Sequence, residues 1–122
     1  MLFRSNVSFD VGAGEIFVLM GLSGSGKSTL IRLINRLVEP SAGSIMVDGE
    51  DLAKLPHNQL VKWRRQRIAM VFQSFALMPH RTVLENAAFG LEVAGSHRGW
   101  REEKAMHVLE QVGLKQIGRA HV

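Results

Sequence analysis

The sequence predicts an α/β protein with a mostly parallel sheet, and three features of the chain lead to that fold class. Short apolar runs of strand length alternate with amphipathic segments of helical period, which is the pattern of parallel strands covered by helices. A glycine-rich segment at residues 21–29 lies between one such strand and one such helix. The dipeptide Asp48-Gly49 follows a short apolar run and adds a small antiparallel β piece, because this pair favours a tight hairpin turn.

The N-terminal part of the chain predicts two strands and one helix. Residues 6–11 alternate polar and apolar side chains, as a half-exposed strand does. Residues 15–20 form a short apolar run that predicts a buried strand. Residues 28–38 predict a helix, because their apolar side chains share one helical face: Leu30, Ile31, Ile34, Leu37 and Val38.

The middle of the chain predicts a short strand, a helix and a buried strand. Residues 44–47 form the strand before the hairpin turn. Pro56 and Asn58 mark the start of a helix that runs toward Arg67. Residues 68–72 form the second buried strand, and a loop follows it.

The C-terminal part predicts two helices, which would be the start of a helical subdomain. Thr82 and Glu85 have the spacing of a capping box, in which each satisfies a backbone N–H group of the other at a helix start. The helix that they open carries Ala87, Ala88 and Leu91. The last helix has Ala105, Val108, Leu109 and Val112 on one face, and Gly113 ends it.

The glycine-rich segment fits G-x-x-x-x-G-K-[ST], the pattern of a phosphate-binding loop. Its glycines let the backbone approach a triphosphate closely, and the next helix adds N–H groups and its dipole. Lys27 is expected to reach the β and γ phosphates, Ser28 to bind Mg²⁺, and Thr29 to lie near the α phosphate. A Gly/Ser linker is the alternative, and it explains neither the lysine nor the preceding strand. The predicted nucleotide-binding residues are Gly21, Leu22, Ser23, Gly24, Ser25, Gly26, Lys27, Ser28 and Thr29.

The length and composition of the chain limit the classes of protein to which it can belong. A chain of 122 residues with 46% hydrophobic residues can form one domain or part of one. The absence of cysteine excludes disulfides and thiolate metal sites. No apolar run is long enough to span a membrane, and the N-terminus has no secretory leader pattern. We therefore expect a cytoplasmic protein.

The formal charge of +4 indicates anionic partners, of which ATP would be one. The densest basic run, residues 62–67, includes Trp63, so a nucleic-acid surface is one interpretation. The solvated face of a helix is the favoured alternative, because no groove-reading or single-strand-binding motif accompanies the run. The five histidines show no metal-ligand spacing and are predicted to be surface residues: His57, His80, His97, His107 and His121.

ATP hydrolysis needs a group that positions water near Mg²⁺, and Gln73 is the predicted candidate. It follows the strand at residues 68–72 directly, and ligands bind beyond the carboxyl ends of parallel strands. Asp48 is the alternative metal ligand, and it would make the protein a compact nucleotide kinase. We favour Gln73, because Asp48-Gly49 is better explained as a turn.

Several stretches resemble the ATPase subunits of ABC transporters: residues 14–29, Glu39-Pro40-Ser41-Ala42-Gly43, and Met70-Val71-Phe72-Gln73. The resemblance extends to about Leu114. It implies that Gln73 is the Q-loop glutamine, which touches Mg²⁺ and the hydrolytic water and couples the ATP site to membrane subunits. Lys27 and Gln73 are then the expected catalytic residues, Ser28 and Gln73 the metal ligands, and ATP and Mg²⁺ the cofactors.

Two stretches, residues 35–40 and 72–80, resemble the ATPase subunit of the importers of glycine betaine and L-proline. The resemblance implies integral-membrane permease subunits, a second ATPase subunit and, indirectly, a substrate-binding protein as partners, with no nucleic acid. It places the subunit on the inner face of the cell membrane. Phe75, Leu77 and Met78 would lie near the permease or pack locally. An ABC-type ATPase for another substrate, or a DNA-associated one, is the alternative.

The resemblance also predicts that this is a truncated P-loop NTPase core, the N-terminal half of an ABC ATPase domain at residues 1–114. The family's signature segment, Walker B aspartate, catalytic glutamate and switch histidine would lie beyond Val122, and its adenine-stacking aromatic before Met1. Residues 115–122 are predicted to be a non-native tail, because residues 117–122 match the translation of a common sequencing adapter. We therefore expect weak nucleotide binding and no turnover by the fragment alone.

Overall fold

The computed structural model describes residues 6–74 and 76–122. The chain divides into two compact units, Met1–Ala53 and Lys54–Val122. Among the described residues, the first unit contains one helix and a two-stranded hairpin, and the second contains three helices. In chain order the elements are α1 (Lys27–Ile34), β1 (Met46–Val47), β2 (Glu50–Asp51), a 3-10 turn (Leu52–Lys54), α2 (His57–Arg67), α3 (Val83–Val93), α4 (Arg98–Gln111) and a second 3-10 turn (Lys115–Ile117).

The helix that follows the glycine loop is shorter than the predicted range of 28–38. α1 ends at Ile34, and Arg36 adopts the left-handed backbone region with φ 55°. The N–H groups of Leu37 and Val38 then turn back to donate to the carbonyl of Arg32, at 2.8 and 3.1 Å. This closes the last turn and satisfies carbonyl groups that a helix end leaves unpaired.

The predicted hairpin is confirmed. β1 and β2 pair antiparallel with Val47 opposite Glu50, and Asp48 and Gly49 form the turn with φ 49° and 82°. Two consecutive residues with positive φ are what a two-residue hairpin turn requires. Leu52, just after β2, is fully buried at 0% exposure and donates its N–H to the carbonyl of Ile45 at 2.8 Å.

The predicted strands at residues 6–11, 15–20 and 68–72 are wrong as strands, and the last two are not buried. β1 and β2 form the one sheet among the described residues. Ile16 is 89% exposed and Val71 is 97% exposed. An apolar run becomes a strand only when its backbone joins the ladder of a sheet, and none of these three ranges does so in the part of the chain that the structure describes.

α2 begins after Pro56 and ends at Arg67, as predicted. Proline suits this position because a helix start leaves the first N–H groups without a partner. Leu60 is 1% exposed and anchors the helix. The basic residues Lys62 and Arg65 lie on the exposed side, so the interpretation of residues 62–67 as a helix with a solvated face agrees with the structure.

The capping box at the start of α3 is confirmed. The hydroxyl oxygen of Thr82 accepts from the Glu85 N–H at 3.1 Å, and the Thr82 N–H donates to the Glu85 carboxylate at 2.7 Å. The next two N–H groups of the helix donate to the C-terminal segment, Val83 to the Ala120 carbonyl at 2.9 Å and Leu84 to the Gly118 carbonyl at 2.7 Å. Residues 115–122 therefore pack against the start of α3.

α3 and α4 pack together around buried apolar side chains. Ala88 of α3 and Ala105 and Leu109 of α4 are buried. Val108 and Val112, on the same predicted face of α4, are 53% and 62% exposed. Gly113 ends the helix as predicted, with φ 76°, and lets the Leu114 N–H reach the Leu109 carbonyl at 2.7 Å.

An ion pair links the start of α3 to its last turn. The Arg81 guanidinium lies 2.8 Å from the Glu92 carboxylate and stacks over the Phe89 ring at 5.3 Å. Arg101 of α4 approaches the same carboxylate at 3.9 Å. The hydrogen bond from Arg81 lowers the pKa of Glu92 below its ordinary value of 4.5.

We expect Thr82→Ala to lower the free energy of unfolding by about 1 kcal/mol, because α3 loses its capping hydroxyl. Urea unfolding followed by helical circular dichroism measures the change. Thr82→Ser keeps the hydroxyl and serves as the control. Equal stability of the wild type and the alanine variant would contradict the role of the cap.

The ion pair predicts an acid-dependent loss of stability. The folded-state pKa of Glu92 is depressed, so its contribution is complete above about pH 4.5 and is lost as the pH falls through the folded pKa. We expect the melting temperature of wild type to fall more steeply below this pH than that of Glu92→Gln. Glu103→Gln, at an exposed position of α4, is the control and should follow the wild-type curve.

Candidate functional site: the glycine loop and the start of α1

Two glycines give the loop its backbone shape. Gly24 has φ 79° and Gly26 has φ 93°, both in the left-handed region that side chains with a Cβ rarely adopt. Gly26 is also the N-cap of α1, so the helix begins at Lys27. The structure thus places the predicted loop directly at a helix N-terminus.

Lys27 folds back over the loop that precedes it. Its ammonium group donates to the carbonyl oxygen of Gly21, to that of Leu22 at 2.7 Å, and to the hydroxyl oxygen of Ser25 at 3.2 Å. These three acceptors use all three N–H bonds of the ammonium group. The sequence pattern predicted that Lys27 contacts phosphate, but it did not predict these hydrogen bonds to the loop itself.

Gly21 has a separate steric reason to be glycine. A Cβ added there would lie 2.6 Å from the Ser25 hydroxyl oxygen and 3.3 Å from the Ser25 Cβ. The loop therefore turns so tightly that its first residue has no space for a side chain. Glycine at this position therefore keeps the loop in its tight conformation.

The start of α1 presents unused hydrogen-bond donors. Among the residues that the structure describes, no acceptor is bonded to the N–H groups of Lys27, Ser28 or Thr29. The first turn of α1 contains no acidic residue. Free N–H groups and the positive end of a helix dipole are features that favour an anion.

Gln73 lies in the second unit, in an exposed bend after residues 68–72. Of the three residues expected near a permease, Leu77 is 58% exposed, Met78 is half-buried, and Phe75 lies outside the described residues. The Asn86 side chain of α3 holds this loop: it accepts from the Met78 N–H at 2.7 Å and donates to the Met78 and Thr82 carbonyls at 3.2 and 3.0 Å. No local sequence signal indicates this role of Asn86, because its partners lie up to eight residues away.

Asp48, the alternative metal ligand, lies in the hairpin turn with φ 49°. In the part of the chain that the structure describes, no group of three or more His, Asp or Glu residues is arranged to hold a metal ion. Nor is any helix of that part both long enough and apolar enough to cross a membrane.

A glycine loop closed by its own lysine at a helix N-terminus defines the class of phosphate-binding-loop proteins that bind nucleoside triphosphates. Comparison with known protein families narrows this class. The family model described as ABC transporter matches residues 4–122. The chain belongs to the ABC transporter family.

One relative is the glycine betaine/proline betaine transport system ATP-binding protein ProV of Escherichia coli, strain K12. It is 55% identical over 116 residues, which are 95% of this chain and 29% of the relative. Another is the trimethylamine N-oxide transport system ATP-binding protein TmoW of Ruegeria pomeroyi. It is 54% identical over 109 residues, 89% of this chain and 32% of the relative. The chain thus spans about three-tenths of the length of these relatives.

A solved structure confirms the predicted fold class. It is an ATP-binding cassette in a dimeric, post-hydrolysis state bound to ADP and Pi. The TM-score is 0.85 at 32% identity, over 95% of this chain and 52% of that one. The fold is therefore that of the ABC ATPase cassettes, with the described residues contributing helices and a small antiparallel sheet.

We expect Gly21→Ala to weaken binding of a fluorescent nucleoside triphosphate at least tenfold, which corresponds to about 1.4 kcal/mol. The physical reason is the 2.6 Å approach of the new Cβ to the Ser25 hydroxyl oxygen. Adding Ser25→Ala removes that oxygen and should restore part of the affinity. Gly90→Ala in α3, where an added Cβ meets nothing within 4 Å, is the control. Equal affinity of Gly21→Ala and wild type would contradict the steric argument.

Proposed function

We propose that residues 21–29 bind the triphosphate of ATP. The observation that supports this proposal is the set of N–H groups at the start of α1 that have no acceptor among the described residues. They lie next to a lysine that already contacts the loop. Lys27 would move from the Leu22 carbonyl to the β and γ phosphates, exchanging neutral acceptors for a charged one. Hydrogen bonds to a charged partner are stronger, so the exchange favours the bound state.

We further propose that Ser28 and Gln73 supply oxygen ligands to Mg²⁺. The hydroxyl of Ser28 is exposed at the first turn of α1, beside the donors proposed for phosphate. Hydroxyl and amide oxygens suit Mg²⁺, which takes its other positions from phosphates and water. When bound, the ion would neutralise charge on the phosphates, while the amide of Gln73 would orient a water molecule.

The role that fits the relatives best is the ATP-binding subunit of an importer for glycine betaine and L-proline. This proposal rests on the 55% identity to a betaine transport protein and on the residue patterns at 35–40 and 72–80. Such a subunit would lie on the inner face of the cell membrane, with permease subunits and a second ATPase subunit as direct partners. A substrate-binding protein would act through the permease. The 54% identity to the trimethylamine N-oxide protein makes another small methylated amine the alternative substrate.

We propose that the 122-residue chain binds ATP without hydrolysing it. Glu15 and Glu39 flank the loop and α1 but are engaged elsewhere, Glu15 with the Gly12 N–H at 2.6 Å and Glu39 with Arg36 at 2.8 Å. Both carboxylates thus have partners within the protein rather than being left open toward the N–H groups proposed for phosphate. Phosphate release by the purified chain that depends on Lys27 would contradict this proposal.

We expect Lys27→Ala to weaken ATP binding about tenfold or more, because a charged hydrogen bond contributes about 1.5–3 kcal/mol. Titration of a fluorescent ATP analogue measures the affinity. Lys62→Ala removes an exposed positive charge from α2 and is the matched control, expected to change the affinity less than twofold. If both variants lost affinity equally, ATP would be attracted by the net charge of the chain rather than bound at a specific site.

A further inference from the structure

One of the three hydrogen bonds of the Lys27 ammonium group goes to a side chain. The group donates to the carbonyl oxygens of Gly21 and Leu22 and, at 3.2 Å, to the hydroxyl oxygen of Ser25. The two carbonyl acceptors belong to the main chain and are present whatever the side chains are. The third acceptor exists because residue 25 is a serine. The residue at position 25 therefore influences where the ammonium group lies.

The backbone of the loop holds the Ser25 hydroxyl in this place. The Ser25 N–H donates to the Leu22 carbonyl at 3.1 Å, which closes a four-residue turn. Gly24 within the turn has φ 79°. Gly21 leaves room for the hydroxyl, since a Cβ on Gly21 would lie 2.6 Å from the Ser25 oxygen. The turn and the missing Cβ thus keep the hydroxyl within reach of the Lys27 ammonium group.

These contacts compete with phosphate for the same N–H bonds. An ammonium group has three N–H bonds, and the loop uses all of them. Contact with both the β and the γ phosphate requires the release of two loop acceptors. The contact with Ser25 is the longest of the three, and hydrogen bonds weaken with distance. The Leu22 carbonyl, the next longest, still keeps the Ser25 N–H after its release.

We propose that Ser25 is a positioning residue whose hydroxyl competes with phosphate for the Lys27 ammonium group, so that the side chain at position 25 tunes the affinity of the loop for a nucleoside triphosphate. The inference rests on the proposed function of residues 21–29. The hydroxyl is uncharged and exposed, so binding gives up one neutral hydrogen bond. Such a bond changes an equilibrium constant by about two- to tenfold. Removal of the hydroxyl therefore favours binding.

The affinity for a fluorescent ATP analogue tests the direction of the effect. We expect Ser25→Ala to bind about threefold more tightly than wild type, near the lower end of the range because the contact is exposed. Ser25→Thr keeps a hydroxyl and should lie closer to wild type than to the alanine variant. Ser44→Ala removes an exposed serine outside the loop and is the control. Weaker binding by Ser25→Ala would overturn the proposal, because the hydroxyl would then assist phosphate binding.

A double-mutant cycle tests whether the effect passes through Lys27. In the Lys27→Ala background the hydroxyl has no ammonium group to hold, so adding Ser25→Ala should leave the affinity unchanged. A threefold gain that persists without the lysine would show a general change of the loop and would overturn the proposal.

A measurement without nucleotide tests the contact itself. Carbon-13 relaxation reports the motion of the Lys27 Cε, whose signal is assigned by its loss in Lys27→Ala. We expect Ser25→Ala to increase this motion and to leave the exposed Lys62 of α2 unaffected. Unchanged motion of Lys27 would overturn the proposal.

The two proposals fail in different ways. Saturable ATP binding of equal strength in wild type and Ser25→Ala would overturn the role of Ser25 and leave the proposed function standing. Absence of saturable ATP binding by the wild type would overturn the proposed function and this inference together.

Discussion

The hydrogen bonds of the Lys27 ammonium group are the interaction on which the candidate site depends. They occupy the carbonyl oxygens of Gly21 and Leu22, the first two residues of the loop. The donors at the start of α1 have no such partner among the described residues and remain for an anion. Open N–H donors at the start of a helix favour a negative over a positive ligand.

The helix that carries this site is held at its other end by Arg36. The guanidinium donates to the Leu52 carbonyl at 2.9 Å and pairs with Glu39 at 2.8 Å. Leu52 is fully buried, so the contact ties the end of α1 to the core of the first unit. The left-handed backbone of Arg36 lies just beyond the end of the helix at Ile34. The position of the α1 N-terminus thus rests on a residue about ten positions further along.

Local signals predicted the structure well wherever the partners lie within a few residues. The hairpin at Asp48-Gly49, the capping box of Thr82 and the helix end at Gly113 need only neighbouring backbone, and all three are confirmed. The runs at residues 15–20 and 68–72 also have the composition of strands. Their prediction was wrong because a strand is stabilised by another segment, which its own residues do not specify.

The sequence by itself determined the class of site: the spacing of glycines before Lys27 and Ser28 leads to a phosphate-binding loop, and the surrounding residues lead to the ABC transporter family. Only the tertiary structure decided where the Lys27 ammonium lies, and that Asn86 fixes the loop after Gln73. It also decided that α1 stops at Ile34. The physical reason is the separation along the chain between the groups that interact. Backbone dihedrals and caps depend on adjacent residues, whereas burial, strand pairing and the reach of a long side chain depend on which distant groups fold beside them.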